Sequence, residues 1–488
     1  MEIILGSILL LSIAFLVWYC VKGHNIMVGF FLMAILWTTV ALFGNALITT
    51  GEYVNTRFEG AQGLEAMLMA IRITFQDGPQ NFGASILTNI FFGAFFGRVL
   101  LETNIASTLI KQAVELGGDR PRVTMALLAI ITSILFVNMT GIGPVMAVAV
   151  IVLPILLTIG IPANVALFSF IGAITAGILV NPINFAQYHG IILAAVNGAF
   201  GDATITEYVA NFTYAEYAVF GWIGLVITLI AVILVSNIAL GFNKKTYSWA
   251  VDISGRHGVI KKDAPWYSWL TILIPVALIT IFNTITYTDS EGVVRNFTQF
   301  STIFAFIIAS IYAVLTTGNL KGGYKAVTAR FSKFFADGAL DAAPMIGFLL
   351  ALAMFNNAAG LNVPYLRAIV GGFIPNNPIL LALMFAFLSV ASFFRGPINL
   401  VGSGAAFASI VFIGIGADSV QAFSILFIYI LFSITTVVPQ HLDITQSWVA
   451  WGLGYTNVKP KDFMKMSIPT GYAVSIILCL LALVMYIL

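Results

Sequence analysis

Charge is what this chain has least of: Lys, Arg, Asp and Glu together make up 9% of its 488 residues. A soluble domain carries roughly a quarter charged residues, so most of this chain's surface cannot face water. There are two cysteines, Cys20 and Cys479, both inside apolar runs, which argues against a disulfide or metal framework. The net charge is +2 and no basic stripe with interleaved aromatics exists, so nothing points to nucleic acid. A P-loop, a metal-ligand cluster and a Ser-His-Asp spacing in soluble surroundings are all missing. No cofactor is expected and no enzyme.

What is present is apolar: 60% of residues are hydrophobic and the mean hydropathy is +1.00. The apolar runs are continuous rather than alternating, and long enough for helices that cross a hydrocarbon core of about 30 Å. Lipid offers the backbone no hydrogen-bond partners, so helix is the default. Full spans are expected at 2–21, 26–48, 81–99, 163–195, 217–240, 267–287, 298–316, 337–358, 420–456 and 468–488. Met1 to Cys20 lacks a basic start and a small-residue cleavage site, and it reads as a retained first helix.

Two further apolar stretches, 123–158 and 377–415, are too long for one crossing, and glycines and polar residues break each in the middle. Each is a pair of crossings or a re-entrant hairpin. Most of the 22 basic residues, Lys244, Lys245, Lys261 and Lys262 among them, fall on one side of the resulting topology. Arg57, Arg72, Arg295 and Arg367 fall on the other, and Arg395 lies within a hairpin. The positive-inside rule then places the basic loop in the cytoplasm and both termini outside, in a cytoplasmic (inner) cell membrane.

Charge leaves the hairpins open; a repeat decides for them. "PILLTIGIPANVALFSF" (154–170) aligns with "SIVFIGIGADSVQAFSILF" (409–427), "TGIGP" (140–144) with "VGSGA" (401–405), and "LVNPIN" (179–184) with "TVVPQH" (436–441). An odd number of crossings separates the copies, so they are inverted in the membrane, a feature of secondary transporters. The expected fold is all-α: about ten transmembrane helices in two inverted repeats, with two re-entrant hairpins and two discontinuous helices. The chain divides into scaffold helices and an amphipathic surface helix (1–80), a first repeat (81–240), a cytoplasmic linker (241–266) and a second half (267–488).

Four breaks hold nearly all the polar residues expected at membrane depth: Asn138, Thr140 and Gly141; Asn181, Asn184, Gln187 and His189; Arg395, Asn399 and Ser403; Gln440, His441, Asp443 and Gln446. Glycine and proline are ordinary in membrane helices, and Asn or Ser often joins helices together. Here they fall in repeat-related positions, where freed helix ends aim amides at anions and carbonyls at cations. Arg395 is the basic residue furthest from any interface, and its guanidinium fork matches a carboxylate. A structural pair with Asp443 is the competing reading. The substrate-binding candidates are Asn138, Thr140, Gly141, Asn181, Asn184, Arg395, Asn399, Ser403 and Gln440. His441 and Asp443, two apart in a segment expected to be unwound, are the coupling candidates.

"TGIGPVMAVAVIVLPILLTIGIP" and "HLDITQSWVAWGLGYTNVKPKDFMKMSIP" make the layout resemble the ion transporter superfamily, especially its gluconate permease and anaerobic C4-dicarboxylate carrier branches. The resemblance implies transport of a small organic anion with protons or sodium ions, an elevator-like motion and a homodimer. The sequence lacks the paired Ser-Asn-Thr signatures of the sodium-coupled branch and the proline-and-histidine-rich break of gluconate permeases. Substrate and coupling ion therefore stay open. A sodium/proton antiporter, using Asp443 and freed carbonyls with Arg395 structural, is the alternative from another class.

Overall fold

The computed structural model describes every residue except 23, 52, 119, 243–262, 289, 291–293, 297–300, 371, 402 and 403. Most of the expected cytoplasmic linker, and Ser403, therefore lie outside the described residues. The rest is almost entirely helical, and each of the ten expected crossings has a helical counterpart. Among the described residues four helices, one of them Pro378–Arg395, are long and apolar enough to cross a membrane, and bent pairs raise the number to as many as seven. Shorter apolar helices such as Thr302–Thr316 and Ile425–His441 stand at other expected crossings. The chain is a polytopic membrane protein.

The same order of elements occurs twice. In the first half, a continuous helical stretch from Gly63 to Glu102 turns by 56° into the amphipathic Ile105–Gly117. A hairpin follows (Pro121–Phe136 and Ile142–Thr158), then a helix broken between Ala163–Ile178 and Pro182–Phe200, then Tyr214–Phe242. In the second half, Gly323–Leu361 leads into the short Val363–Val370. The second hairpin (Pro378–Leu388 and Gly404–Ile415), the broken pair Ile425–His441 and Ser447–Thr456, and Pro460–Tyr486 complete it. The repeat is thus longer than the motifs that revealed it.

Both hairpins have short α-helical arms. Pro121–Phe136, with 16 residues, rises about 24 Å, and Pro378–Leu388, with 11, about 16 Å, against a hydrocarbon core of about 30 Å. A 3-10 turn, Ser389–Arg395, extends the second arm, but Phe393 and Phe394 leave helical geometry inside it. Helix starts follow ordinary capping chemistry. Asn181 and Asn377 each precede a proline and accept hydrogen bonds from the next two free amides, while the proline removes an amide that needs no partner.

Two expectations need correction. The span expected at 267–287 is a 3-10 segment, Trp266–Ile272, followed by Ile274–Thr284, and then a strand. Thr286–Thr288 pairs antiparallel with Val294–Asn296, Tyr287 opposite Arg295. The run Thr284 to Thr288 is β-branched and aromatic throughout, which favours an extended chain over a helix. The second break also begins later than expected. Ile425–His441 stays helical through Pro439, and unwinding starts at Leu442. A proline in the last helical turn removes a single ladder bond, so the helix tolerates it there.

Gly323–Leu361 is the spine of the scaffold. It packs along Ile26–Leu47 and Thr88–Glu102, and touches Pro182–Phe200. It bends by 48° between Ala343 and Ile346, where the sequence places Pro344.

Candidate functional site

The hairpin tips and helix breaks are stitched to each other by side chains. Asn181 donates both amide hydrogens across to the first hairpin, to the carbonyls of Phe136 (3.1 Å) and Met139 (3.0 Å). Its oxygen meanwhile accepts from Ile183 and Asn184 amides, so the side chain is fully used. In the second half, Thr436 accepts from the Leu400 amide at 3.0 Å. The Asp443 carboxylate accepts from the backbone amides of Phe394 and Thr445. Phe394 and Arg395 are consecutive residues with φ of 58° and 59°. Left-handed conformations cost about 1–2 kcal/mol per residue, and Asp443 helps hold this pair.

All four breaks converge on one cavity of about 200 Å³. Thr140, Gly141 and Ile142 come from the first tip, and Asn184, Gln187 and Tyr188 from the first broken helix. Arg395 and Val401 come from the second tip, and Gln440, His441, Thr445, Gln446, Ser447 and Trp448 from the second broken helix. Asp341 and Phe348, on Gly323–Leu361, close the remaining wall. The Arg395 guanidinium donates to Gln446 Oε1 and, at 3.5 Å, to the Val401 carbonyl, and it lies 5.9 Å from the Phe348 ring centroid. His441 Nδ1 is 2.7 Å from the Val437 carbonyl. A carbonyl only accepts, so Nδ1 carries the hydrogen, and a neutral ring keeps Nε2 as an acceptor. The ring stacks on Trp448 at 5.3 Å.

Several features of this cavity suit an anion. The helices Ile142–Thr158 and Ser447–Thr456 both begin at its wall, and neither has a side-chain cap. Gln446, the N-cap residue of the second, is committed to Arg395 instead. Free amides and the helix dipole favour negative charge at these ends. Trp448 Nε1, a donor, and Gln440 Oε1, an acceptor, are buried at the same wall and have no hydrogen-bond partner among the described residues. Both residues are 6% exposed, so the missing partners are not bulk water.

Sequence reasoning placed six of its candidates here: Thr140, Gly141, Asn184, Arg395, Gln440 and His441. The structure sets Asn138, Asn181, Asn399 and Asp443 behind the wall. Asn138 donates to the Ile272 carbonyl, and Asn399 spans its own tip, from the Ser392 carbonyl (3.2 Å) to the Val401 amide (2.9 Å). His189 belongs to a different space, bonded to the Val209 carbonyl at 2.7 Å. That space is a wide vestibule of about 830 Å³, lined also by Arg57, Asn81, Asn197, Asn356 and Asn357. Pro182–Phe200 is the shared wall: Pro182, Phe185, Ala186 and His189 face the vestibule, and Asn184, Gln187 and Tyr188 the inner cavity.

Asp341 and its partner were not foreseen. Arg98, on Thr88–Glu102, grips the Asp341 carboxylate with two bonds, Nη2 to Oδ1 at 2.7 Å and Nε to Oδ2 at 2.5 Å. The same carboxylate presses on Gly143, where a β-carbon would fall 1.7 Å from Oδ1. Arg98 closes an expected span at 81–99 and Asp341 opens one at 337–358, positions where hydropathy reads a charge as interfacial. The helix itself starts at Gly323, which sets Asp341 mid-helix.

Broken helices, paired hairpins and a cavity between them make up the centre of this fold. The chain matches the YdaH transporter of Alcanivorax borkumensis over 94% of its own length and 97% of that protein's, with a TM-score of 0.61 and 12% identity. It matches MtrF of Neisseria gonorrhoeae, which belongs to a class of antimetabolite efflux pumps, over 93% and 94%, with a TM-score of 0.62 and 12% identity. No family model matches the sequence, and neither does any curated protein. At this identity the likeness carries the fold alone. The fold it shows is that of these two proteins, and neither is a gluconate permease or a C4-dicarboxylate carrier, the branches that the motifs resemble.

Proposed function

We propose that the protein is a secondary active transporter that moves a small organic anion across the cytoplasmic membrane by alternating access. The observation that carries this reading is the cavity itself. Arg395, two uncapped helix starts and a Trp448 donor with no partner among the described residues all meet in a space between the hairpin tips. Such a combination binds a carboxylate through charge and directed hydrogen bonds.

The elevator-like component of the proposal rests on the crossing of Pro182–Phe200 with Gly323–Leu361. A methyl on Gly198 would come within 3.3 Å of the Gly360 α-carbon, so two bare backbones meet where the transport helix passes the scaffold. Smooth, small-residue contacts suit sliding. Protons or sodium ions drive the cycle, and homodimerisation through the scaffold belongs to the same proposal. The antiporter alternative is less well supported, because Asp443 spends its oxygens on the backbone amides of Phe394 and Thr445.

The test is uptake of labelled carboxylates into proteoliposomes under imposed proton or sodium gradients. Accumulation of a carboxylate without chemical change supports the reading. Sodium flux that no organic anion accompanies or inhibits supports the antiporter instead.

A further inference from the structure

The cavity has a negative wall as well as a positive one. Asp341 lines it, its side chain 6% exposed, whereas Arg98, which neutralises that carboxylate, is not among the lining residues. The ion pair is therefore a dipole whose negative end is at the cavity and whose positive end lies behind it. Arg395 is the one cationic side chain among the described lining residues. Both residues line a space of about 200 Å³, so a cargo whose carboxylate meets Arg395 shares that space with the Asp341 carboxylate. Like charges brought together away from water repel strongly.

We propose that Asp341 restricts the cavity to carboxylates with a single negative charge, whose far end is neutral or cationic. This rests on the anion reading of Arg395 and adds a charge limit to it. The amides of Asn184, Gln187 and Gln440 and the rings of Tyr188, Phe348 and Trp448 would receive that far end. A dicarboxylate of equal length would set its second carboxylate against Asp341, and Arg98, behind the wall, offsets this only in part.

The experiment is competition, by uptake and by thermal shift of the purified full chain, between matched pairs: butyrate against succinate, hexanoate against adipate. At about pH 7.5, where both carboxyls of the diacids are ionised, each monocarboxylate should bind at least about tenfold tighter than its partner. Towards about pH 5.5 the diacids become monoanions, so their relative potency should rise severalfold. Each monocarboxylate measured alongside corrects for titration of the protein's own groups. Those facing the Asp341–Arg98 pair are Asp337 on the same helix, Glu102 on the Arg98 helix, and Arg395 and His441 across the cavity.

Asp341→Asn should shrink the preference for single charge. If that variant fails to fold, the wild-type pH comparison decides alone. Equal or tighter binding of the diacids at the higher pH overturns the charge limit while leaving the anion site intact. A preference unchanged in a folded Asp341→Asn protein overturns the role of Asp341. Binding of no carboxylate at all removes the anion reading itself, and this inference with it.

Discussion

The Asp443 carboxylate accepts the backbone amide of Phe394, the residue immediately before Arg395. Asp443, expected as a coupling residue with a pair to Arg395 as the competing reading, thereby also clamps the hairpin tip by holding the backbone that carries the guanidinium.

That relationship separates two substitutions at Asp443. Asp443→Asn keeps one acceptor oxygen and should retain folding with a modest loss of anion affinity. Asp443→Ala releases the Phe394 and Thr445 amides and should lower stability by about 2–3 kcal/mol, at about 1 kcal/mol or more per bond. Melting temperatures of the two variants, with and without ligand, check this. Equal behaviour of Asn and Ala counts against the clamp.

Asn181 makes four hydrogen bonds that join the first tip to the first broken helix. Asn181→Ala should cost about 2–4 kcal/mol, from a lost cap and two stranded carbonyls. The loss should appear as lower thermal stability in detergent. A variant with wild-type stability and weakened binding would instead make Asn181 a direct ligand.

Gly143 leaves no room for a β-carbon beside the Asp341 carboxylate. Gly143→Ala must push the tip off the Asp341–Arg98 pair, so transport should fall by at least about tenfold even if the protein inserts normally, since a small displacement at a binding constellation has large effects. Gly454→Ala, where a β-carbon meets nothing within 4 Å, is the control and should transport normally.

Ile142 sits at the first tip and lines the cavity. In a background with Cys20 and Cys479 replaced by serine, Ile142→Cys should react with small polar thiol reagents and be protected by ligand. Full labelling by large impermeant reagents from bulk solution, unaffected by ligand, would mean that the stretch is an ordinary loop rather than a hairpin tip.

Much of this architecture was legible because apolar length and glycine breaks are local properties. The hairpins, the first broken helix and the isolation of Arg395 all follow from runs that can be counted along the chain. Asp341 and Arg98 were not legible, because a charge near the end of an apolar run reads as interfacial whichever way it points. Only the pairing across helices reveals that Asp341 is buried and Arg98 half-buried. Asn138, Asn181 and Asn399 raise the opposite difficulty. An amide at membrane depth looks like a ligand, yet irregular backbone at a tip needs donors and acceptors of its own, and these residues supply them. Trp448 escaped notice because an indole in an apolar helix gives no signal until its N–H is found without a partner.

The central claim is that Arg395 receives a substrate carboxylate, and the most direct measurement is carboxylate affinity, by thermal shift and proteoliposome uptake, across substitutions at this one position. Arg395→Lys keeps the charge but loses the planar fork, so affinity should fall about tenfold or more if the contact is bidentate. Arg395→Gln should fold and insert yet lose carboxylate binding altogether. Wild-type carboxylate affinity in a folded Arg395→Gln protein would contradict the account.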